Sequence, residues 1–448
     1  MAISWLSSPA GEKKIVLLIK MKNKKVFLLL LFAALPLPAA GAEGYSLKEC
    51  LSMAAGRNPD LLRERAALDE NQAGYVVSRG ALLPQLDATL SYQRYDQQLP
   101  SKKVLFGASL DDYYSDITVK QLLFSGGKYV SQLRSSKVSV EAQKQRLSLT
   151  ERDLAFNVTK AYYEQLRAAQ TLEIQKSVLE KLSQQRVAAQ LLYNGGRTSV
   201  VDVLKIQTNE SAQRDAVANA ENQVYVKALA LGQAMGVEEP VWAAFAMPQI
   251  NETAAFEKTI PAAVLDANPE MLYAARNVEK SGLEIKTALA SHYPALYLKG
   301  TYFMEDKEFF PGNANSYAGV FLALPIYYGG AVSAQTDRAG ARYAQARETE
   351  RKARLSLYSR YAAAVSTALD KKERVATSAK TLELAKETLT ASELRYSAGK
   401  ISVLDLLDAQ NLWSNAYMSY ANVTFDYLIN TAEVKAIWPE AVTGEILK

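Results

Sequence analysis

The chain has 448 residues, 49% of them hydrophobic and 22% charged, which excludes a disordered or collagen-like protein. Its single Cys and single His exclude a disulfide framework and a Cys/His metal site within one chain, and leave little room for His-based catalysis. The formal charge is +5, and Tyr is over-used, at 25 against 12 Phe and 4 Trp, a bias that suits surfaces apolar on one side and wet on the other.

Residues 1–42 are expected to be a secretory signal, with 1–20 an over-extended start. Lys22, Lys24 and Lys25 form the basic region, Val26–Leu35 the apolar run and Ala40-Gly41-Ala42 the small-residue cleavage site. The other reading, a membrane anchor, conflicts with the length of the run, which is too short to span a bilayer as a helix. Removing six lysines and one glutamate with this segment leaves 46 basic and 46 acidic residues, so the net charge belongs to the targeting segment and nothing points to nucleic acid. Cys50 lacks the small residues before it that a lipid-anchor Cys needs, and is expected to be a plain buried thiol.

The rest of the chain repeats itself. Asn58-Pro59-Asp60-Leu61 matches Asn268-Pro269-Glu270-Met271 at an offset of 210, and Leu83-Pro84-Gln85-Leu86 matches Tyr293-Pro294-Ala295-Leu296 at the same offset. Phe124-Ser125-Gly126-Gly127 matches Tyr327-Tyr328-Gly329-Gly330 at 203, so one loop between strands is shorter in the second copy. Two large repeats are predicted, 43–236 and 261–438, with a linker at 237–260 and a tail at 439–448.

Each repeat opens with a helix, from Asn58 to Leu82 or from Pro269 to Ser291, that stops at a proline. Strict alternation then predicts a strand at 85–96, with Leu86, Ala88, Leu90 and Tyr92 on one face; its counterpart is 295–304. After a polar loop come second strands at 113–124 and 316–327. Helices follow over 128–194 and 331–397, free of Pro and, in the first copy, of Gly. The first carries an apolar seam through Leu154, Val158, Ala161, Ala168, Leu172, Leu179 and Leu182. Return helices follow at 199–235 and 402–432, the second with a seam at Leu404, Leu407, Met418, Ala421, Phe425 and Leu428. Seams of this kind make side-by-side, coiled-coil packing.

Strands of this length, alternation and aromatic content suit a transmembrane β-barrel; the competing reading is a small soluble sheet half-buried on helices. Secretion favours the barrel. Four strands cannot close, and open sheet edges are not tolerated in lipid, so several chains must share one barrel.

The ordered, duplicated set of Asn-Pro helix starts, Pro84 and Pro294 strand entries and Gly-Gly exits, with Arg395-Tyr396-Ser397-Ala398-Gly399 and Ser402-Val403-Leu404-Asp405-Leu406-Leu407-Asp408-Ala409, resembles the TolC-like outer-membrane efflux proteins from Ala42 to about Pro439. The resemblance implies a mainly α protein with transmembrane β structure: a homotrimer whose shared 12-stranded β-barrel in the outer membrane continues as a long periplasmic α-barrel closed at the Gly turns. It further implies a passive exit duct, without cofactor or enzymatic activity. A periplasmic adaptor would dock it, and an inner-membrane efflux pump or ABC exporter would drive it.

By the same resemblance, Asp405 and Asp408 narrow the tip, and Tyr396 with Asp202 belongs to a latch between neighbouring tip helices. The family's Arg partner in that latch falls at Ile401; Arg197 and Lys400 are the nearest substitutes. The tip turns, with Gly195, Gly196, Arg197, Ser199, Gly399, Lys400 and Ser402, are the expected adaptor-docking surface. Two local readings stand beside these. Ser199-x-x-Asp202 and Ser402-x-x-Asp405 have capping-box spacing, and Gly196 and Gly399 suit plain helix C-caps. Asp408 has no such local reason and has Lys205 as its counterpart in the first copy. Two alternative functions remain open from the sequence: the exit duct of a type I protein secretion system, and a non-pore periplasmic coiled-coil adaptor or scaffold.

Overall fold

The computed structural model describes residues 44–97, 100, 107, 109–245, 250, 255–309, 312–439 and 442–443; the expected signal segment lies outside them, as does most of the loop after the first strand. Helices α1 (Leu47–Arg57) and α2 (Pro59–Gly80) lead to strands β1 (Gln85–Arg94) and β2 (Asp111–Phe124). Helices α3 (Lys128–Asn194) and α4 (Val200–Met235) follow, then β3 (Ala255–Phe256). The second copy comprises α5 (Ala262–Ala267), α6 (Pro269–Leu289), β4 (Ala295–Asp306), β5 (Ala314–Ala323), α7 (Ala331–Ser397) and α8 (Val403–Ile437), with β6 (Val442–Thr443) at the end.

The Asn-Pro pairs explain themselves in space. Asn58 Oδ1 accepts from the N–H groups of Asp60 and Leu61 at 2.9 and 3.3 Å, capping α2, while Pro59 needs no donor partner at the first helical position. Its Nδ2 donates to the Ala234 carbonyl, 2.9 Å away, at the end of the return helix α4. Asn268 repeats both roles, accepting from Glu270 N–H at 3.0 Å and donating to the Ile437 carbonyl at the end of α8 at 3.2 Å. One buried amide thus stops one helix, starts the next and fastens both to the far end of a hairpin. Ahead of it, α1 starts at a complete capping box between Ser46 and Glu49.

Both long helices have 67 residues, about 100 Å at 1.5 Å per residue. The buried positions of α3 differ from the expected seam. Val158, Tyr162, Leu166, Gln170, Ile174, Val178 and Leu182 step by four, while Leu154, Ala161, Ala168, Leu172 and Leu179 are only half-buried. A four-residue step precesses about 40° per step around a 3.6-residue helix, so the buried face rotates as its partners change. Those partners are α2 and α6 toward the strands and α4 and α8 along the hairpins. On α8, Leu407, Ala421, Phe425 and Leu428 are buried as expected, but Leu404 is 51% exposed and Val403 and Leu406 point inward instead.

The largest apolar cluster joins both hairpins at mid-length, through Val158, Leu166, Leu357, Tyr361, Phe425 and Tyr427 with α1's Cys50 and Ala54. The expected linker contributes to it: Phe256 packs edge-on against Tyr427, and β3 pairs with β6 of the tail. The four long strands form one antiparallel sheet in the order β1-β2-β4-β5, which leaves β1 and β5 as its edges. The strand expected at 316–327 runs from Ala314 to Ala323.

Candidate functional site

The two hairpin turns are built alike. The Arg197 N–H donates to the Leu192 carbonyl at 2.8 Å and the Gly196 N–H to the Tyr193 carbonyl at 2.9 Å; Lys400 to Arg395 and Gly399 to Tyr396 repeat the pattern, each at 2.9 Å. These are Schellman closures, and they demand a left-handed residue at the turn, which Gly196 (φ 68°) and Gly399 (φ 70°) supply.

After the turns the copies diverge. The Ser402 Oγ accepts from the Asp405 N–H at 3.2 Å, and Asp405 Oδ2 accepts from the Ser402 N–H at 3.0 Å and hydroxyl at 2.8 Å, a complete capping box. The Ser402 hydroxyl and backbone hydrogen bonds hold the Asp405 carboxyl below its usual range. In the first copy Ser199 caps only Val201 N–H, at 3.2 Å, and Asp202 instead accepts from the Thr198 hydroxyl at 3.0 Å. The expected reciprocal box is absent there because the Asp202 carboxylate is taken by Thr198.

Asp408 lies one turn beyond Asp405, exposed, and among the described residues no hydrogen bond or ion pair engages it. Tyr396 is half-buried between the two apolar tip clusters, beside Trp413. Burial first, and the Asp202 carboxylate second, push its phenol up. The structure therefore brings Tyr396 of the second hairpin and Asp202 of the first near each other, although no hydrogen bond joins them. Arg197 and Lys400 are exposed and join no ion pair among the described residues.

Three charged ties near and above the tip escaped the sequence reading. Lys181 Nζ on α3 meets Glu393 Oε1 on α7 at 2.8 Å and lies 5.9 Å from the Trp413 ring centroid, linking the hairpins. Glu210, whose side chain is 6% exposed, takes Arg186 Nε at 2.8 Å and Arg214 Nη2 at 2.7 Å within the first hairpin. Asp426 on α8 receives Arg167 of α3 at 2.9 Å and Lys371 of α7 at 3.0 Å. Only Glu210 had a sequence signal: the 203-residue offset places it opposite Trp413, a carboxylate where the other copy keeps an aromatic ring.

The sheet separates its chemistry by face. Leu86, Ala88 and Leu90 of β1 share a side with Ile117 and Val119 of β2, Leu298, Gly300 and Tyr302 of β4, and Ala318, Val320 and Leu322 of β5. This face has no charge along its middle. Toward the loops it ends in Tyr92 and Tyr113, ring centroids 4.8 Å apart, with Arg94 and Asp111 beyond them. Toward the helices it is followed by Ile326, Tyr327 and Tyr328, which are 91%, 84% and 64% exposed. The opposite face carries Asp87, Asp112, Asp116, Lys120, Lys299 and Glu305. An apolar band bordered by aromatic residues at both ends, backed by a polar face, is the pattern of a barrel wall in lipid. Among the described residues no helix is long and apolar enough to cross a membrane, and no group of His, Cys, Asp or Glu is placed to hold a metal ion.

This combination defines a class: outer-membrane channels in which a β-barrel continues into an α-barrel, the fold of TolC-like trimers. The chain superposes on the Campylobacter jejuni CmeC outer membrane channel with a TM-score of 0.78 at 16% identity, covering 94% of this chain and 93% of that one. The outer membrane efflux protein family matches residues 50–237 and 260–439, and the chain belongs to that family. Outer membrane protein TolC of Vibrio cholerae is 25% identical over 437 residues, 92% of this chain and 94% of TolC. The pyoverdine export outer membrane protein OpmQ of Pseudomonas aeruginosa is 23% identical over 377 residues, 81% of this chain and 78% of that protein. The protein is thus an outer-membrane protein of an efflux-channel family, a family of channels and not of enzymes.

Proposed function

We propose that three copies of this chain close into one duct, the passive exit of a tripartite efflux system. The sheet carries the proposal: it has one face fit for lipid and two unpaired edges, β1 and β5, which lipid does not tolerate. Pairing β5 of one copy with β1 of the next satisfies both edges and turns the charged face to the lumen. The hairpins then extend into the periplasm, where the twin Schellman turns, Gly195–Ser199 and Gly399–Ser402, are the surface for a periplasmic adaptor, itself engaged with an inner-membrane pump.

Asp405 and Asp408 face the pore at the tip, and Asp408 is the selective one. Asp405 spends its carboxylate on the Ser402 cap, whereas Asp408 is free to meet passing ions. Three such carboxylates around an axis favour cations. Tyr396, Asp202 and the Lys181–Glu393 pair hold the hairpins together, in place of the charged lock that Ile401 cannot make.

The test is single-channel conductance in a planar bilayer, wild type beside Asp408→Asn. Small cation-selective steps that lose selectivity in the variant are expected. Unchanged selectivity would remove Asp408 from the filter, and an inserted protein without conductance would mean a fully sealed tip or the non-pore scaffold.

A further inference from the structure

Beyond gating at the tip, the luminal face of the sheet contains an arrangement that sheet stability alone does not favour. Lys120 of β2 and Lys299 of β4 are direct cross-strand partners on the same face. Like charges in that register repel. Among the described residues neither joins an ion pair with a carboxylate. The nearest luminal acid in the adjoining strand, Asp87, sits one step further along β1, opposite Thr118 and not opposite Lys120. Each ammonium lies instead over an aromatic ring, Lys120 Nζ 4.3 Å from the Tyr297 centroid and Lys299 Nζ 5.6 Å from that of Tyr317. Cation–π contact orients a lysine but leaves its charge uncancelled. The two flanking positions of the same row are Gln85 and Gly319, neither of them acidic.

Above this row, toward the loops, three rings step diagonally across the luminal face, with Asp116 paired to Phe303 and Glu305 to Tyr114. Tyr114, Phe303 and Tyr317 follow one another across three strands, with centroid separations of 6.1 Å and 6.4 Å. Thr118 and Thr301 share the row of Tyr317 and touch through their hydroxyls at 2.9 Å. Tyr317 thus stands one row, roughly 7 Å, above Lys299, with Phe303 two rows and Tyr114 three rows above.

We propose that Lys120 and Lys299, six lysines in the trimer, form an anion-binding layer at the periplasmic end of the β-barrel lumen, matched to organic anions that carry an aromatic ring. The anionic group is held at the lysine row, and the ring stacks on the tyrosines that flank it, Tyr317 on the loop side and Tyr297 on the helix side. The inference rests on the trimeric duct proposed above. It gives the duct a cationic station beyond its acidic tip, so cargo leaving through the barrel is sorted by charge a second time.

The test uses the full-length trimer in a planar bilayer, with 1-naphthalenesulfonate added on the β-barrel side and methanesulfonate as the ring-free control. Naphthalenesulfonate is expected to reduce the current at lower concentration than methanesulfonate. In the double variant Lys120→Gln, Lys299→Gln its half-blocking concentration should rise on the order of tenfold, as charge-assisted contacts from both lysines are lost. The Lys120→Arg, Lys299→Arg variant, which keeps the charge, should retain the block, and heat-modifiable migration verifies assembly of every variant. Equal block of wild type and the glutamine variant would overturn the lysine layer while leaving the duct intact. Equal potency of the two sulfonates would overturn the aromatic part. A wild-type chain that shows no heat-modifiable trimer would refute layer and duct together.

Discussion

Glu210→Gln is the most informative single change in the first hairpin. The carboxylate is buried and receives Arg186 from α3 and Arg214 from its own helix, at 2.8 and 2.7 Å. Glutamine preserves the volume but offers one acceptor oxygen to two guanidinium donors, so one bond weakens to an ion–dipole contact and the other is lost, roughly 1 kcal/mol each. Arg214 is 67% exposed and regains water readily, so its share is discounted. The net cost is about 1.5 kcal/mol, close to a tenfold increase in local opening. Hydrogen–deuterium exchange over peptides spanning 186–214 reads this directly. The pH dependence supplies a second check. Arg214 first, and then Arg186, hold the Glu210 carboxyl below its usual range against the opposing effect of desolvation. A depressed folded-state pKa contributes stability that is present above the unfolded value and lost as pH falls through the folded one. The difference between wild type and variant should therefore shrink on acidification. Unchanged exchange in 186–214 at neutral pH, or equal acceleration at the other hairpin's tip, would refute the reasoning.

Two further predictions concern the backbone and the core. Gly399→Ala and Gly196→Ala meet no neighbour within 4 Å, so their cost is the left-handed backbone alone, about 1–2 kcal/mol each. Amides of the affected turn should exchange faster while the mid-length cluster is unchanged; slower exchange would contradict the Schellman geometry. Cys50 is fully buried and burial pushes its thiol up to about 11, so iodoacetamide at pH 8 should label it only after denaturation. Rapid labelling of the folded protein would contradict the packing of α1.

The parts of the molecule legible in its sequence are those determined within a few residues. The Asn-Pro corners, the Gly turns and the alternation of β1 are local devices, and the bounds of α3 and α7 follow from the turn residues around them. The buried face of α3 departs from the heptad at Leu172 and Leu179 because a heptad assumes one partner, and this helix exchanges partners along its length. Helix α1 precedes the Asn-Pro corner, and the second copy keeps only the six-residue α5 in its place, so the duplication does not mark it. The Lys181–Glu393 tie spans 212 residues and is surrounded by many solvated charges, so no sequence pattern marks it. The lysine row was equally hidden, because register pairs Lys120 with Lys299 across 179 positions of chain.

The strand order β1-β2-β4-β5 has a consequence for inheritance. One free edge comes from the first copy and the other from the second, so in the proposed ring each strand joint between chains pairs unlike edges, head to tail. A chain with a ruined β5 would still offer an intact β1 to a normal neighbour and be drawn into its ring. One defective allele would thus poison assemblies that contain healthy chains, and edge-strand lesions would be dominant where lesions that stop the chain from being made would be recessive.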